Sequence, residues 1–198
     1  KHALEVGDYS VAARVATRIE QRPKGMTHWY WQLQIARLEI FSGQPQAGAD
    51  RLLQVLENAD EVEEQELDRL LQIAFDLQAI SRDDLALKVF EAAGPFAQTV
   101  RQRRELLFWM AESQAGEGHA AKAAELYLRS AKGQGQDHDS WGLSARFQAA
   151  DAMTEGGFYE DARMTYSGLL RVTQNEKRRL QIRQRLQQLK LLQAVDKR

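Results

Sequence analysis

The sequence predicts an all-α fold assembled from repeated antiparallel helical hairpins. Three observations carry this. Helix formers dominate the 198 residues: 21 Gln stand among many Ala, Leu, Glu and Arg, while strand-type alternation of Val, Ile and Thr is nearly absent. The breakers gather at a few joints, with Pro23, Pro45 and Pro95 beside candidate helix stops and most Gly between apolar-periodic segments. Small residues then recur in phase along nearly the whole chain.

Each element follows from these marks. Ala3–Gly7 reads as the last turn of a helix whose beginning is missing, and a helix over about 9–21 completes a half repeat at 1–22. The chain is accordingly expected to be part of a longer protein, continuing upstream. A helix over about 28–42 follows the Pro23–Gly25 break and stops at Ser42-Gly43. Pro45 opens the next, about 45–58, where its missing N–H costs nothing. The helix over about 62–80 opens on Asp60-Glu61-Val62-Glu63-Glu64-Gln65-Glu66-Leu67-Asp68, negative charge at the positive end of the helix dipole. Ser81-Arg82 separates it from 83–93, and Gly94-Pro95 precedes a helix over about 96–116. The segment 120–132 ends at Gly133-Gln134-Gly135, and Asp139 or Ser140 caps 139–156. Gly156-Gly157 ends that helix, 159–173 follows, and 176–195 closes the chain. Repeats are expected at about 26–60, 61–94, 96–133 and 138–174.

The turns align. Gly43, Ser81, Gly118 and Gly157 are each followed five positions on by Gly48, Ala86, Ala123 and Ala162, and preceded by seven by Ala36, Ala74, Ala111 and Ala150. Counting Ala12, the second set is spaced 36, 38, 37 and 39. Small residues facing each other let antiparallel helices cross closely. Four residues further come Leu52, Phe90, Tyr127 and Tyr166, large enough to fill the gap between neighbouring hairpins. The pattern Ala150…Gly157-x-Tyr159-x-x-Ala162-x-x-x-Tyr166, with Ala111…Gly118-x-x-x-x-Ala123-x-x-x-Tyr127, resembles the tetratricopeptide repeat (TPR) family. The resemblance implies a right-handed α-solenoid of TPR-like hairpins, closed here by a C-terminal capping helix. The repeat is longer than the family's usual ~34 residues, and Gln32 and Arg146 stand where an early aromatic is usual.

Composition excludes several chemistries. No Cys means no disulfide, thiolate-bound metal or thiol nucleophile. No phosphate-binding loop, metalloprotease or nucleophile-elbow motif occurs. His2, His28, His119 and His138 are scattered, and Asp137-His138-Asp139, the one local ligand cluster, reads as loop and cap. The expectation is a non-catalytic chain with no cofactor and no metal site.

The 27 Lys+Arg and 28 Asp+Glu nearly cancel, but not locally. Residues 176–198 hold eight basic and two acidic groups, +6, and residues 1–175 hold 19 and 26, −7. In the last helix Ile182, Leu186, Leu189, Leu192 and Val195 form an apolar stripe, opposite Arg178, Arg179, Arg183, Arg185 and Lys190, as a solenoid cap requires.

The resemblance also implies that the first helix of each hairpin faces an inner groove. Taken next to the small Ala positions or one or two turns before them, the candidate protein-binding residues are Tyr30, Leu33, Arg37, Asp68, Phe75, Phe108, Glu112, Phe147 and Asp151, aromatic anchors among orienting charges. The expected partner is a protein or peptide held on that face. The Gln-rich composition, with 19 Arg to 8 Lys, points to a bacterial protein of an envelope assembly. The competing readings are nucleic-acid or anionic-membrane contact through the basic helix, and oligomerisation through the exposed half repeat.

Overall fold

The structure, a computed structural model, describes residues 22–132 and 139–196, together with Val11, Arg14, Val15 and Arg18. The expected half repeat at 1–22 and the cluster Asp137-His138 fall largely outside the described residues. Helices α1 (His28–Phe41), α2 (Pro45–Glu57), α3 (Glu64–Ala79) and α4 (Asp83–Ala93) form two hairpins. A 3-10 turn (Gly94–Phe96) follows α4. Helices α5 (Val100–Gly116), α6 (Ala120–Ala131), α7 (Ser140–Glu155) and α8 (Tyr159–Val172) form two more, and α9 (Glu176–Asp196) packs on α8. The chain divides into two compact units, Lys1–Ala97 and Gln98–Arg198.

The four hairpin turns share one geometry. Gln44, Arg82, His119 and Phe158 donate backbone N–H bonds of 2.8–2.9 Å to the carbonyls of Glu39, Leu77, Gln114 and Met153, five residues earlier. This satisfies carbonyls that the helix end leaves free. It requires a left-handed residue just before, and Gly43, Gly118 and Gly157 supply it at φ of 85°, 77° and 78°. Ser81 takes the same conformation at φ 59°, where a Cβ is strained.

The small positions meet as expected. Ala36, Ala74, Ala111, Ala150, Ala86, Ala123 and Ala162 have no accessible surface. Gly48 is closest to its partner helix: a Cβ there would lie 2.6 Å from the Ala36 carbonyl oxygen and 2.6 Å from an Ile40 side-chain carbon. The large residues Phe90, Tyr127 and Tyr166 make their ring contacts inside their own hairpins, with Phe75, Phe108 and Phe147. Burial of Leu33, Leu52, Leu70, Leu77 and Phe90 completes the core of the first unit, each contributing roughly 1.5–3 kcal/mol.

One expected start shifts by a full turn. The helix placed at about 96 begins at Val100, because Thr99 and Gln102 form a reciprocal capping box. Pro95 therefore sits in the 3-10 turn, while Pro45 does open α2. No helix among the described residues is long and apolar enough to cross a membrane.

Candidate functional site

In the second unit, α5, α7 and α9 wall a cleft of about 260 Å³. Its apolar lining is Phe108, Leu143, Phe147, Leu169 and Ile182; its polar lining is Ser144, Gln148, Thr173, Arg178 and Gln181. Phe108 and Phe147 thus stand on one cavity although 39 residues separate them. Both are half-buried. Phe108 is wedged among the Trp109, Tyr127 and Trp141 rings at centroid distances of 5.3, 5.2 and 5.2 Å. Phe147 touches one described ring, Tyr166, at 5.6 Å.

Glu112 and Asp151 lie one turn further along α5 and α7. Each accepts a 2.5 Å hydrogen bond from the tyrosine hydroxyl of its own hairpin, Tyr127 and Tyr166. Burial, and then the carboxylate, pushes both phenols well above the ordinary tyrosine range. Asp151 also pairs with Arg185 at 2.8 Å. These two carboxylates are therefore engaged inside the unit.

Of the first-unit candidates, Leu33 has no accessible surface. The structure places it in the core, so the phase assignment that put it on a binding face is corrected: fully enclosed, it has no surface to offer a partner. Tyr30 is half-buried under the Arg69 guanidinium, 5.2 Å from its ring centroid. Arg37 is exposed, pairs with Asp76 at 2.8 Å and lies 5.6 Å from the Phe41 ring. Burial raises the Asp76 carboxyl above its usual range, against the opposing pull of Arg37. Asp68 is exposed, and Phe75 is half-buried against Phe90 at 5.6 Å.

The basic face of α9 is partly spent internally. Arg179 donates to the Leu170 and Thr173 carbonyls at 3.0 and 2.9 Å, capping the end of α8, and Arg185 goes to Asp151. Arg178 donates to the Ser144 hydroxyl at 3.0 Å, across the cleft from α9 to α7. Leu180 and Leu191 are exposed, so the outer face is not purely polar.

A second cluster holds the cleft together. Arg104 grips Asp139 with two bonds of 2.6 and 2.9 Å and donates to the Ser130 carbonyl at 2.8 Å. Asp139 caps α7 through the Gly142 N–H, and Ser130 Oγ accepts from the Trp141 indole at 3.0 Å. The Arg104 guanidinium, helped by that N–H, holds the Asp139 carboxyl down at about 2.

The fold has solved counterparts. Two structures of the nearly identical kinesin light chain TPR-like repeats of Podosopora anserina, one carrying a single substitution, superpose on the chain. The substituted one has a TM-score of 0.56 at 15% identity, over 89% of this chain and 92% of its own. The other has a TM-score of 0.55 at 15% identity, over 86% and 90%. The fold is TPR-like. No protein-family model and no curated protein matches the sequence. In TPR-like terms, α5 and α7 are first helices of their hairpins, and α9 follows the last hairpin and packs on α8. Sequence phase found Phe108 and Phe147 but missed Arg178, Gln181 and Ile182 as lining. Helix α9 carries no small-residue marker against a following helix; its apolar stripe turned Ile182 inward, as its burial agrees, but assigned neither Arg178 nor Gln181 to a groove.

Proposed function

We propose that this chain is a non-catalytic scaffold that holds a protein or peptide on the first-helix faces of its TPR-like hairpins. Repeat folds of this kind generally offer extended binding surfaces, and the fold analogy supplies part of the reading. The observation that carries it here is the convergence of Phe108 and Phe147 on one open, apolar-walled cleft. Half-buried aromatics beside exposed polar groups are the composition of an anchor site. In the first unit, Tyr30, Arg37, Asp68 and Phe75 are the contact candidates. Glu112 and Asp151 support the second-unit face through their tyrosines. An envelope setting rests on composition alone.

The test is photo-crosslinking from defined positions. A photoreactive phenylalanine in place of Gln148, on the cleft, is expected to capture a discrete protein partner in cells. The same group in place of Glu125, exposed on α6, is expected to capture none. Capture from Glu125 with none from Gln148 would move the binding face elsewhere.

A further inference from the structure

We propose that the outer face of α9 docks this chain on an anionic lipid surface, its leucines entering the interface and its free cations meeting the headgroups. This goes beyond the scaffold reading and uses a different side of α9 from the cleft. Two residues along a helix turn it by about 200°. Ile182 and Leu189 are enclosed, in the core that α9 shares with α8. Leu180 and Leu191, two residues outside them, therefore stand on the opposite side, and they are 56% and 65% exposed. Eleven residues separate them, about three turns, so they share one line about 16 Å long. Gln184 and Gln187 lie between them on that line, exposed and uncharged. Helix α9 thus carries two apolar lines, and among the described residues only the inner one is covered.

The charges around the outer line select the surface. Lys177, Arg183 and Lys190 border it, all exposed, and no ion pair among the described residues engages them. Arg179 and Arg185 are committed to α8 carbonyls and to Asp151. Glu176, the acid in the first turn, pairs with Arg179 at 3.6 Å. Leucines set among free cations match a bilayer interface, where the acyl boundary takes the first and anionic headgroups the second. The unit's charge agrees: residues 98–198 hold 17 Lys+Arg and 12 Asp+Glu, +5, against 10 and 16, −6, in residues 1–97. An anionic surface attracts the second unit before any contact forms. Nucleic acid offers the same charge but nothing for the leucines, and residues 173–198 contain no aromatic side chain on which a base could stack. Pairing α9 with a second copy of itself along this line would bring like charges together.

The probe is vesicles of phosphatidylcholine mixed with phosphatidylserine, and of phosphatidylcholine alone, sedimented with the whole chain. At low salt the chain is expected to pellet with the mixed vesicles and not with the neutral ones, and to be released as salt rises. Arg183→Gln and Lys190→Gln should each lower partitioning about fivefold. Leu180→Ser with Leu191→Ser leaves the charge unchanged and should lower it about tenfold or more. All four positions are exposed, so helicity by circular dichroism should be unchanged. Because the chain has no Cys, Leu191→Cys can carry a single environment-sensitive dye. Its emission should shift to the blue on the mixed vesicles, while the same dye at Glu125→Cys, exposed on α6, should not shift. No pelleting with mixed vesicles at low salt overturns the proposal. Pelleting indifferent to the leucine changes overturns it too, and tighter binding to a single-stranded RNA, equally indifferent, would make the surface a nucleic-acid contact. None of these outcomes touches crosslinking from Gln148, which tests the scaffold reading separately.

Discussion

Tyr127 reaches back across its hairpin to Glu112, its hydroxyl donating to the carboxylate at 2.5 Å. One repeat later Tyr166 does the same to Asp151, and in both pairs the partners are 15 residues apart. The same separation in the first unit joins Phe75 to Phe90, ring to ring. One packing position of the hairpin is thus filled by an apolar pair in one unit and a phenol–carboxylate pair in the other. The polar version places a charge one turn from the ring that lines the cleft, and it stabilises only while both partners are present.

Tyr127→Phe leaves Glu112 without its donor in a half-buried setting. The expected loss is about 1–2 kcal/mol of stability, read from the urea midpoint. The double variant with Glu112→Gln should recover part of it. Equal midpoints for wild type and Tyr127→Phe would show that the bond carries nothing.

The same pairs set an alkaline limit. Both phenols are raised above the unfolded value of about 10. Their contribution is therefore complete below pH ~10 and is lost as pH climbs beyond it. In a joint ultraviolet and circular-dichroism titration, the phenolate signal of these two tyrosines should rise only as helicity falls. Full ionisation of all five tyrosines in a still-helical chain would contradict this.

At the acid end the sensitive group is Asp139. Its carboxyl is depressed to about 2, mainly by Arg104, against an unfolded value of about 4. The stability it adds is present above pH ~4 and fades as pH falls towards 2. Asp139→Asn keeps a competent cap and loses the ion pair, so its stability should change less between pH 4 and 2 than the wild type's. Asp139→Ala, losing both, should cost about 1–2 kcal/mol at neutral pH. Denaturant midpoints across that range check both.

Ser81 offers a gain. It occupies the left-handed turn position that Gly43, Gly118 and Gly157 fill without strain. Ser81→Gly should raise stability by about 1 kcal/mol, visible as a higher melting temperature. A lower one would mean that the Ser81 side chain stabilises the turn by more than its strain costs.

Sequence reading located the helices because their ends are chemical: Pro45, the Gly turns and Asp139 each satisfy or remove a backbone group. It misplaced the start of α5, where the Thr99–Gln102 capping box outweighed Pro95 as a marker. Side-chain facing was legible where small residues fixed the helix rotation, which is how Phe108 and Phe147 emerged. Leu33 holds the same place before Ala36 that Phe108 and Phe147 hold before Ala111 and Ala150, yet it is fully enclosed, a difference that phase does not carry; in α9 the apolar stripe turned Ile182 inward but marked neither Arg178 nor Gln181. The Arg104–Asp139 grip joins residues 35 apart, from α5 to the cap of α7, and spacing alone carries no trace of it.

Leu33 and Phe147 give the sharpest contrast between core and contact. Leu33 is fully enclosed, so Leu33→Ala should cost about 2–5 kcal/mol, the range for a buried leucine that leaves a cavity. Phe147 is half-buried on an open cleft and meets one ring, so Phe147→Ala should cost well under the roughly 3–5 kcal/mol of a core phenylalanine. Phe108, wedged among three rings, should fall between them. If Phe147→Ala destabilises as much as Leu33→Ala, its ring belongs to the core and the cleft loses its anchor. If it leaves the melting curve nearly in place and removes crosslinking from Gln148, the ring acts on the partner.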